Sequence, residues 1–202
     1  IEGEHFRVPM GRPIPFATGM AAASPEREIL VLLGDGEAAG IGGNHLIHAA
    51  RRGDRVRVLI VNNEVLGGTG GFPSPTTPQG ARTALHATGS APKALDVADV
   101  VRAARAAWVG RETITAGPTL GALLDEFLAA PPFALLEVRA PCFPAYGRWN
   151  GHATPEAMRD AMELRALRGE VRGGARPVPG APDPASGSFR VGRLWPASGG
   201  RS

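Results

Sequence analysis

Two short apolar runs, joined by a segment with the composition of a helix, limit most strongly what this chain can fold into. The runs Ile29–Leu33 and Val56–Val61 are largely apolar, which is typical of parallel strands covered on both faces. The segment between them, Ala38–Arg52, has the residues of a crossover helix and is followed by Gly53. This order is that of a βαβ unit, so the sequence predicts an α/β fold, with a mostly parallel sheet and helices on both faces.

Polar residues follow both predicted strands. Asp35 stands between Gly34 and Gly36 after the first strand, and Asn62 and Asn63 follow the second. The carboxyl ends of parallel strands meet at one edge of the sheet, which is where open α/β sheets bind ligands. We therefore expect the acid and the amides to face one site.

The helix predicted after Gly36 favours phosphate at this site. The first N–H groups of a helix have no partner within it, and the positive end of its dipole attracts anions. Asp35 would repel a phosphate unless a divalent cation lay between them, and Mg²⁺ is commonly shared between protein oxygens and phosphates. Taken alone, Asp35 is better explained as a turn residue that caps the helix. Together with Asn63 it favours a metal–diphosphate site.

A long loop follows the second strand. Residues 62–80, NNEVLGGTGGFPSPTTPQG, contain five glycines and three prolines without periodicity. Loops of this length in compact domains are usually functional or disordered. Because this one begins at the carboxyl end of a strand, we favour a binding loop over disorder.

The distribution of charge argues against nucleic acid as a partner. The formal net charge is +3, but residues 166–202 hold six arginines against Glu170 and Asp183, so the rest of the chain is slightly acidic. No basic stripe interleaved with aromatic residues is present. No apolar run approaches the roughly 20 residues that span a bilayer, and no leader is visible. We therefore expect a cytoplasmic protein that binds neither nucleic acid nor membrane.

The composition changes near Gly169. Residues 1–168 have the pattern of one domain, whereas residues 169–202 are rich in Gly, Pro and Arg and have little apolar periodicity. We expect the second segment to be a tail that is flexible or docks on a partner. Its one sizeable apolar cluster packs on the body or on a partner, and the sequence leaves both open. The cluster contains Phe189, Val191, Leu194 and Trp195.

The spacing of the two polar turns resembles the thiamine diphosphate motif. That motif is GDG followed by NN, and 28 residues separate Asp35 from Asn63. The resemblance implies that Mg²⁺ is bound by the side chains of Asp35 and Asn63 and by the backbone carbonyl of Val65.

Further blocks between residues 11 and 150 resemble the β subunit of 2-oxoacid:ferredoxin oxidoreductases. They are Gly11-Arg12 with Ala17-Thr18-Gly19, then GIGGNHLIHAARR, the TGG and SPTTP segments of the long loop, and Pro141-Cys142 followed by Tyr146-Gly147-Arg148 and Asn150. The resemblance implies the thiamine diphosphate-binding fold. The residues that it implies for cofactor binding are Gly34, Gly36, Glu37, Ala38, Asn63, Gly67 and Thr69.

The family implies an activity that needs other chains. Its members decarboxylate a 2-oxoacid oxidatively to an acyl-CoA and pass electrons through iron–sulfur clusters to ferredoxin. An α subunit with the pyrimidine domain completes the active site. The resemblance therefore implies a heteromeric enzyme that uses thiamine diphosphate, Mg²⁺, a 2-oxoacid and CoA, and whose catalytic chemistry resides in the cofactor.

Cys142 is the chain's single cysteine, and it matches the position of one iron–sulfur ligand of that family. The family's CxxC segment is not found in this sequence. Cys142 would thus be a ligand of a [4Fe–4S] cluster only with cysteines from another segment or chain. Two other interpretations remain open: a non-redox 2-oxoacid decarboxylase subunit, and a cofactor-binding scaffold without activity.

His45 and His48 lie one turn apart on the predicted crossover helix. No acidic or cysteine partner has a matching spacing, so we expect them to have packing or helix-surface roles. Arg12 and Arg148 are better functional candidates, by resemblance only.

Overall fold

A five-stranded sheet forms the centre of the protein, whose computed structural model describes residues 3–167 and 189–195. The strand order is β1-β2-β6-β5-β9. The first four strands are parallel, and β9 is antiparallel to β5. The sheet strands are β1 Leu30–Gly34, β2 Arg57–Asn62, β5 Trp108–Thr113, β6 Ala134–Arg139 and β9 Gly192–Trp195.

Five α-helices and four very short strands complete the described residues. The helices are α1 Pro13–Ala23, α2 Gly43–Arg52, α3 Val97–Ala103, α4 Gly117–Ala129 and α5 Pro155–Arg165. The short strands are β3 Val65–Leu66, β4 Phe72–Pro73, β7 Ala166–Leu167 and β8 Phe189–Arg190. Asp96 caps α3 by accepting from the Asp99 N–H, and Thr154 caps α5 by accepting from the Ala157 N–H, as their positions before helical segments predict.

Helices cover both faces of the sheet. On one face, α1, α2 and α3 pack on alternate strand residues such as Val58, Ile60 and Leu135. On the other face, α4 places Phe127 in a cluster with Leu136. The predicted α/β class with a mostly parallel sheet and helices on both faces is confirmed.

The expectation that both faces of the first strand are covered is wrong for the part of the chain that the structure describes. Leu30 and Leu32 on β1 are 39% and 65% exposed, and Val61 on the neighbouring β2 is 37% exposed. The physical reason is that β1 lies at the edge of the sheet, whereas α4 packs mainly on β5 and β6. A continuous apolar run therefore did not establish coverage of both faces here.

The crossover between β1 and β2 is not one continuous helix. A π-helical turn covers Glu37–Ile41, and α2 begins only at Gly43. Gly40 has non-helical dihedral angles (φ −90°, ψ −108°), which interrupt the predicted helix. The glycines in this segment allow such a break because they have no Cβ.

Residues 189–195 show where the apolar cluster of the second segment packs. Phe189, Val191 and Leu194 are buried, and β9 extends the main sheet along β5. This apolar cluster therefore docks on the body of the same chain. The rest of residues 168–202 lies outside the described residues, and a division near residue 168 stays a prediction. Among the described helices, none has the length and apolar character to cross a membrane.

Replacing Leu194 by alanine tests this docking. Leu194 is 5% exposed and belongs to the main core, so the free energy of unfolding should fall by about 2–4 kcal/mol. The measurement is denaturant unfolding. Leu164→Ala is the control, because Leu164 is 85% exposed on α5 and its replacement should change the free energy little. Equal effects of the two substitutions would contradict the packing of β9 on the body.

Candidate metal–diphosphate site

The structure brings the carboxyl ends of β1 and β2 together. Asp35 follows β1 and is only 1% exposed. The backbone N–H of Asn63, just after β2, donates to Asp35 Oδ1 over 3.4 Å. The predicted proximity of the acid and the second amide residue therefore exists, because β1 and β2 are adjacent parallel strands in register.

Two hydroxyl groups hold the other carboxylate oxygen of Asp35. Ser74 Oγ and Thr76 Oγ1 each donate to Asp35 Oδ2 over 2.6 Å. Burial raises the pKa of Asp35, and the hydrogen bonds from Ser74, Thr76 and the Asn63 N–H oppose that rise. An ionised carboxylate with so little access to water favours a cation as its neighbour.

The two asparagines have different roles. Asn62 is buried; its Nδ2 donates to Glu137 Oε1 over 2.6 Å, and its Oδ1 accepts from the Glu64 N–H over 3.0 Å. Asn63 is half-buried, and its Oδ1 accepts from the Val65 N–H over 3.3 Å. The Asn62 side chain thus bonds to groups inside the protein, whereas Asn63 lies beside Asp35 and Val65.

The predicted binding loop is a folded segment. Val65 and Leu66 pair with Pro73 and Phe72, and the turn Gly67–Thr69 connects the two short strands. Leu66 lies over Gly36: a Cβ at Gly36 would come 2.0 Å from Leu66 Cδ2. The Leu66 side chain would have to move to admit any larger residue at position 36, where the hairpin approaches the end of β1.

Four further residues of the expected cofactor set, Gly34, Gly36, Glu37 and Ala38, lie at or just after the end of β1. Gly34 ends β1, and Gly36 precedes the π-helical turn that contains Glu37 and the fully buried Ala38. Glu37 Oε1 accepts from the backbone N–H of Gly11 over 2.9 Å. Thr69 is exposed and its Oγ1 donates to the Leu66 carbonyl. The helical segment after Gly36 is shorter than the sequence predicts, but it begins at the predicted place.

The donor set fits a hard cation bound through oxygen. Asp35 supplies a carboxylate, and Asn63 and Val65 are close enough to each other to share a hydrogen bond. Carboxylate, amide and carbonyl oxygens are ligands that Mg²⁺ prefers. Three protein ligands would leave other coordination positions free for phosphate oxygens. The assignment of the individual residues to the metal stays a prediction.

Cys142 lies close to this loop. It is half-buried at the start of the helical turn Phe143–Gly147, and its Sγ is 3.6 Å from where a Cβ on Gly67 would stand. Within residues 3–167 and 189–195, no group of three or more His, Cys, Asp and Glu side chains is placed to hold a metal ion. Any cluster at Cys142 would therefore take its other ligands from elsewhere.

The two histidines of α2 point to no metal site. His48 is exposed, and His45 Nε2 lies 3.3 Å from Arg12 Nη1. Arg148 is exposed, with its guanidinium 5.6 Å from the centre of the Phe143 ring. The structure thus places Arg12 and Arg148 on the surface rather than beside Asp35.

A buried network of ion pairs lies under the site, and sequence reasoning missed it. Glu137 on β6 accepts a hydrogen bond from Arg111 Nε over 2.7 Å and forms an ion pair with Arg139, whose Nε lies 3.0 Å away. Arg139 also binds Glu64, the residue that follows Asn63. Although burial alone would raise it, the charges of Arg111 and Arg139 hold the pKa of Glu137 below its ordinary value. The signal was present in the sequence as charged residues within the otherwise apolar strand ALLEVR.

The network reaches the end of the described chain. Arg111 also pairs with Asp96 and donates to the Arg190 carbonyl over 3.4 Å. The guanidinium of Arg139 lies 4.8 Å from the centre of the Phe189 ring. Arg111 similarly holds the pKa of Asp96 below its ordinary value, against the effect of burial. Residues 189–195 thus cover charged groups on β5 and β6.

A cavity of about 300 Å³ lies beside this network and beyond Asn63. Its lining includes Glu64, Arg139 and Arg165, and Glu64 pairs with both arginines. Burial, followed by the charge of Glu64, raises the pKa of Tyr146 in this wall to about 12. The cavity therefore has both apolar and charged walls, and Glu64 compensates part of the positive charge of the two arginines.

Replacing Glu137 by glutamine should lower the free energy of unfolding at pH 7 by about 3–5 kcal/mol, because it leaves Arg111 buried with one partner fewer. The folded-state pKa values of Glu137 and Asp96 are depressed, so their contribution is present above pH 4–5 and is lost as the pH falls further. The variant should consequently show a weaker loss of stability on acidification. Denaturant unfolding between pH 3 and 7 measures both effects.

Glu156→Gln is the matched control for this prediction. Glu156 has 66% of its side chain exposed and pairs with Arg159 one turn away on the surface of α5. Such a surface pair contributes little. A Glu137→Gln variant as stable as Glu156→Gln would contradict the buried network.

Comparison with known proteins agrees with this geometry. The family described as "Thiamine pyrophosphate enzyme, C-terminal TPP binding domain" matches residues 3–138, which include Asp35 and Asn63. The chain therefore belongs to this family of thiamine pyrophosphate (thiamine diphosphate) enzymes.

Two more specific relatives are subunits of a 2-oxoglutarate synthase. The chain is 39% identical over 157 residues to "2-oxoglutarate synthase subunit KorB" of Methanothermobacter marburgensis, covering 78% of this chain and 55% of that one. It is also 39% identical over 148 residues to the subunit of the same name of Methanocaldococcus jannaschii, covering 73% and 55%. The chain thus spans about half the length of these curated relatives. The predicted resemblance to the β subunit of 2-oxoacid:ferredoxin oxidoreductases is confirmed.

A solved structure shows the same fold. It is a 2-oxoglutarate:ferredoxin oxidoreductase from Magnetococcus marinus with 2-oxoglutarate, coenzyme A and succinyl-CoA bound. The TM-score is 0.71 at 21% identity, over 92% of this chain and 62% of that one. This likeness confirms the predicted fold of thiamine diphosphate-binding proteins.

Proposed function

We propose that this chain is the thiamine diphosphate-binding subunit of a 2-oxoacid:ferredoxin oxidoreductase. The observation that carries the proposal is the 39% identity to KorB subunits over 157 residues, together with the adjacent positions of Asp35 and Asn63 in the structure. The reaction is the oxidative decarboxylation of a 2-oxoacid to an acyl-CoA, with ferredoxin or a similar protein as electron acceptor.

In this proposal the residues of the strand ends bind the diphosphate end of the cofactor. The Asp35 carboxylate, the Asn63 amide oxygen and the Val65 carbonyl hold Mg²⁺. Backbone from Gly34 to Ala38 and the Gly67–Thr69 turn surround the phosphates. Thiamine diphosphate bound there would supply the carbanion chemistry needed for decarboxylation of a 2-oxoacid. The chain's own contribution is to fix the position of the diphosphate and to exclude water around Asp35.

Other chains complete the proposed enzyme. An α subunit supplies the pyrimidine side of the cofactor site, so activity requires the heteromer. Cys142 is the chain's candidate ligand for a [4Fe–4S] cluster, with the remaining cysteines contributed by another segment or chain. The position of Cys142 beside Gly67 supports this assignment, because a cluster there would lie near the predicted binding loop, residues 62–80.

The test is to purify the chain with its bound partners under anaerobic conditions and to measure 2-oxoacid-dependent, CoA-dependent reduction of ferredoxin. The complex should turn over, and Asp35→Asn should abolish turnover because it removes the charged metal ligand. Asp160→Asn, at an exposed position on α5, is the control that should retain activity.

Two results would contradict the proposal in different ways. An assembled complex that decarboxylates a 2-oxoacid but contains no iron–sulfur absorbance would identify a non-redox decarboxylase. A complex that binds the cofactor but converts no 2-oxoacid would identify a scaffold.

A further inference from the structure

Three buried hydroxyl groups lie between the two strand ends that form the candidate metal site. They belong to Ser74, Thr76 and Thr77, which we call the hydroxyl clasp. Ser74 and Thr76 both donate to the same oxygen, Oδ2, of Asp35 over 2.6 Å. The clasp thereby fixes the side chain at the end of β1, although these residues are far from Asp35 in the sequence.

The same segment also holds the end of β2. Thr77 Oγ1 donates to the Glu64 carbonyl over 2.6 Å, and Thr76 Oγ1 lies 3.0 Å from Asn62 Oδ1. The hydroxyl of Thr76 has one proton, and the carboxylate of Asp35 is the stronger acceptor, so that proton belongs to Asp35. The clasp therefore contacts both chain segments that carry the candidate metal ligands.

Internal hydrogen bonds keep the clasp in one shape. The Ser74 N–H donates to Thr77 Oγ1 over 2.8 Å, and the Thr76 N–H donates to Ser74 Oγ over 3.2 Å. Its three hydroxyls consequently have defined positions before any ligand is present.

The two oxygens of Asp35 are left in different environments. Oδ2 accepts two short hydrogen bonds from the clasp, whereas Oδ1 has the longer 3.4 Å contact with the Asn63 N–H. A carboxylate held by one oxygen cannot rotate freely, so Oδ1 stays directed toward the Asn63 segment. Outer groups that orient metal ligands in this way contribute to metal affinity.

We propose that the hydroxyl clasp is the positioning device of the metal site. Ser74 and Thr76 set the orientation of the Asp35 carboxylate, and Thr77 sets the turn that carries Asn63 and Val65. The distance between the ligand oxygens at the two strand ends is thus fixed before the cation binds. This reduces the entropy cost of ordering the site on binding. This inference rests on the proposed function, because it assumes that Asp35 and Asn63 bind the cation of thiamine diphosphate.

The test compares Mn²⁺ binding by the chain in its complex with the bound partners, in the presence of thiamine diphosphate, and follows free Mn²⁺ by electron paramagnetic resonance. Thr76→Val keeps the shape of the side chain and removes the hydroxyl. Its dissociation constant for Mn²⁺ should rise about 10- to 100-fold, the usual effect of losing an outer partner of a metal ligand. Thr76→Ser restores the hydroxyl and should return the affinity to within a few-fold of the wild type.

Thr83→Val is the matched control. Thr83 is fully buried, and its hydroxyl accepts from the backbone N–H of His86. Its replacement should leave the Mn²⁺ affinity unchanged whatever it does to thermal stability. Equal weakening of binding in Thr76→Val and Thr83→Val would overturn the positioning role, as would failure of Thr76→Ser to restore binding.

Asp35→Asn separates this inference from the proposed function. Wild-type affinity in Thr76→Val combined with loss of binding in Asp35→Asn overturns the clasp and leaves the site assignment intact. Unchanged binding in Asp35→Asn, or a wild-type complex that binds no Mn²⁺ with the cofactor, overturns both. If Thr76→Val does not fold, Ser74→Ala takes its place: about 10-fold weaker binding supports the clasp, and unchanged binding overturns it.

Discussion

The carboxyl group of Asp35, almost fully withdrawn from water at the end of β1, is the group on which the rest of the site depends. A buried carboxylate is costly unless donors and a cation compensate it. The protein supplies two hydroxyl donors, from Ser74 and Thr76, and leaves the second oxygen toward Asn63. The parallel arrangement of β1 and β2 makes this possible, because it places both strand ends at one edge.

The site is continuous with the interior of the sheet. Thr76 approaches Asn62, Asn62 donates to Glu137, and Glu137 is held by Arg111 and Arg139. Hydrogen bonds and ion pairs therefore run from the candidate metal ligand across β2, β6 and β5. Buried polar groups of this kind are stable only when each has its partners. The loop that carries the candidate ligands is consequently anchored by charge pairs as well as by apolar packing.

Residues 189–195 contact the same buried network of charged groups. Phe189 covers the guanidinium groups of Arg139 and Arg165, and Arg190 offers its carbonyl to Arg111. Residues 189–195 thus shield charged groups from water, which strengthens their mutual attraction. A segment whose composition suggests a tail therefore contributes both a strand and a cover to the domain.

Local signals were sufficient to predict the βαβ unit and the proximity of Asp35 to Asn63. Each rests on neighbouring residues or on the fixed geometry of parallel strands. The hydroxyl clasp could not be derived in this way, since its contacts with Asp35 join residues 39 and 41 positions apart. The buried network required the strand order, because Arg111 and Glu137 meet only when β5 and β6 are neighbours. The exposure of one face of β1 could not be predicted either, because it depends on where the helices pack on the sheet.

The most direct test of the central claim is a crystal structure of the chain in its complex, grown with Mn²⁺ and thiamine diphosphate and measured for anomalous scattering. The account predicts an anomalous peak bound by the Asp35 carboxylate, the Asn63 side chain and the Val65 carbonyl, next to the diphosphate. A peak bound by other residues, or a diphosphate located away from the ends of β1 and β2, would contradict it.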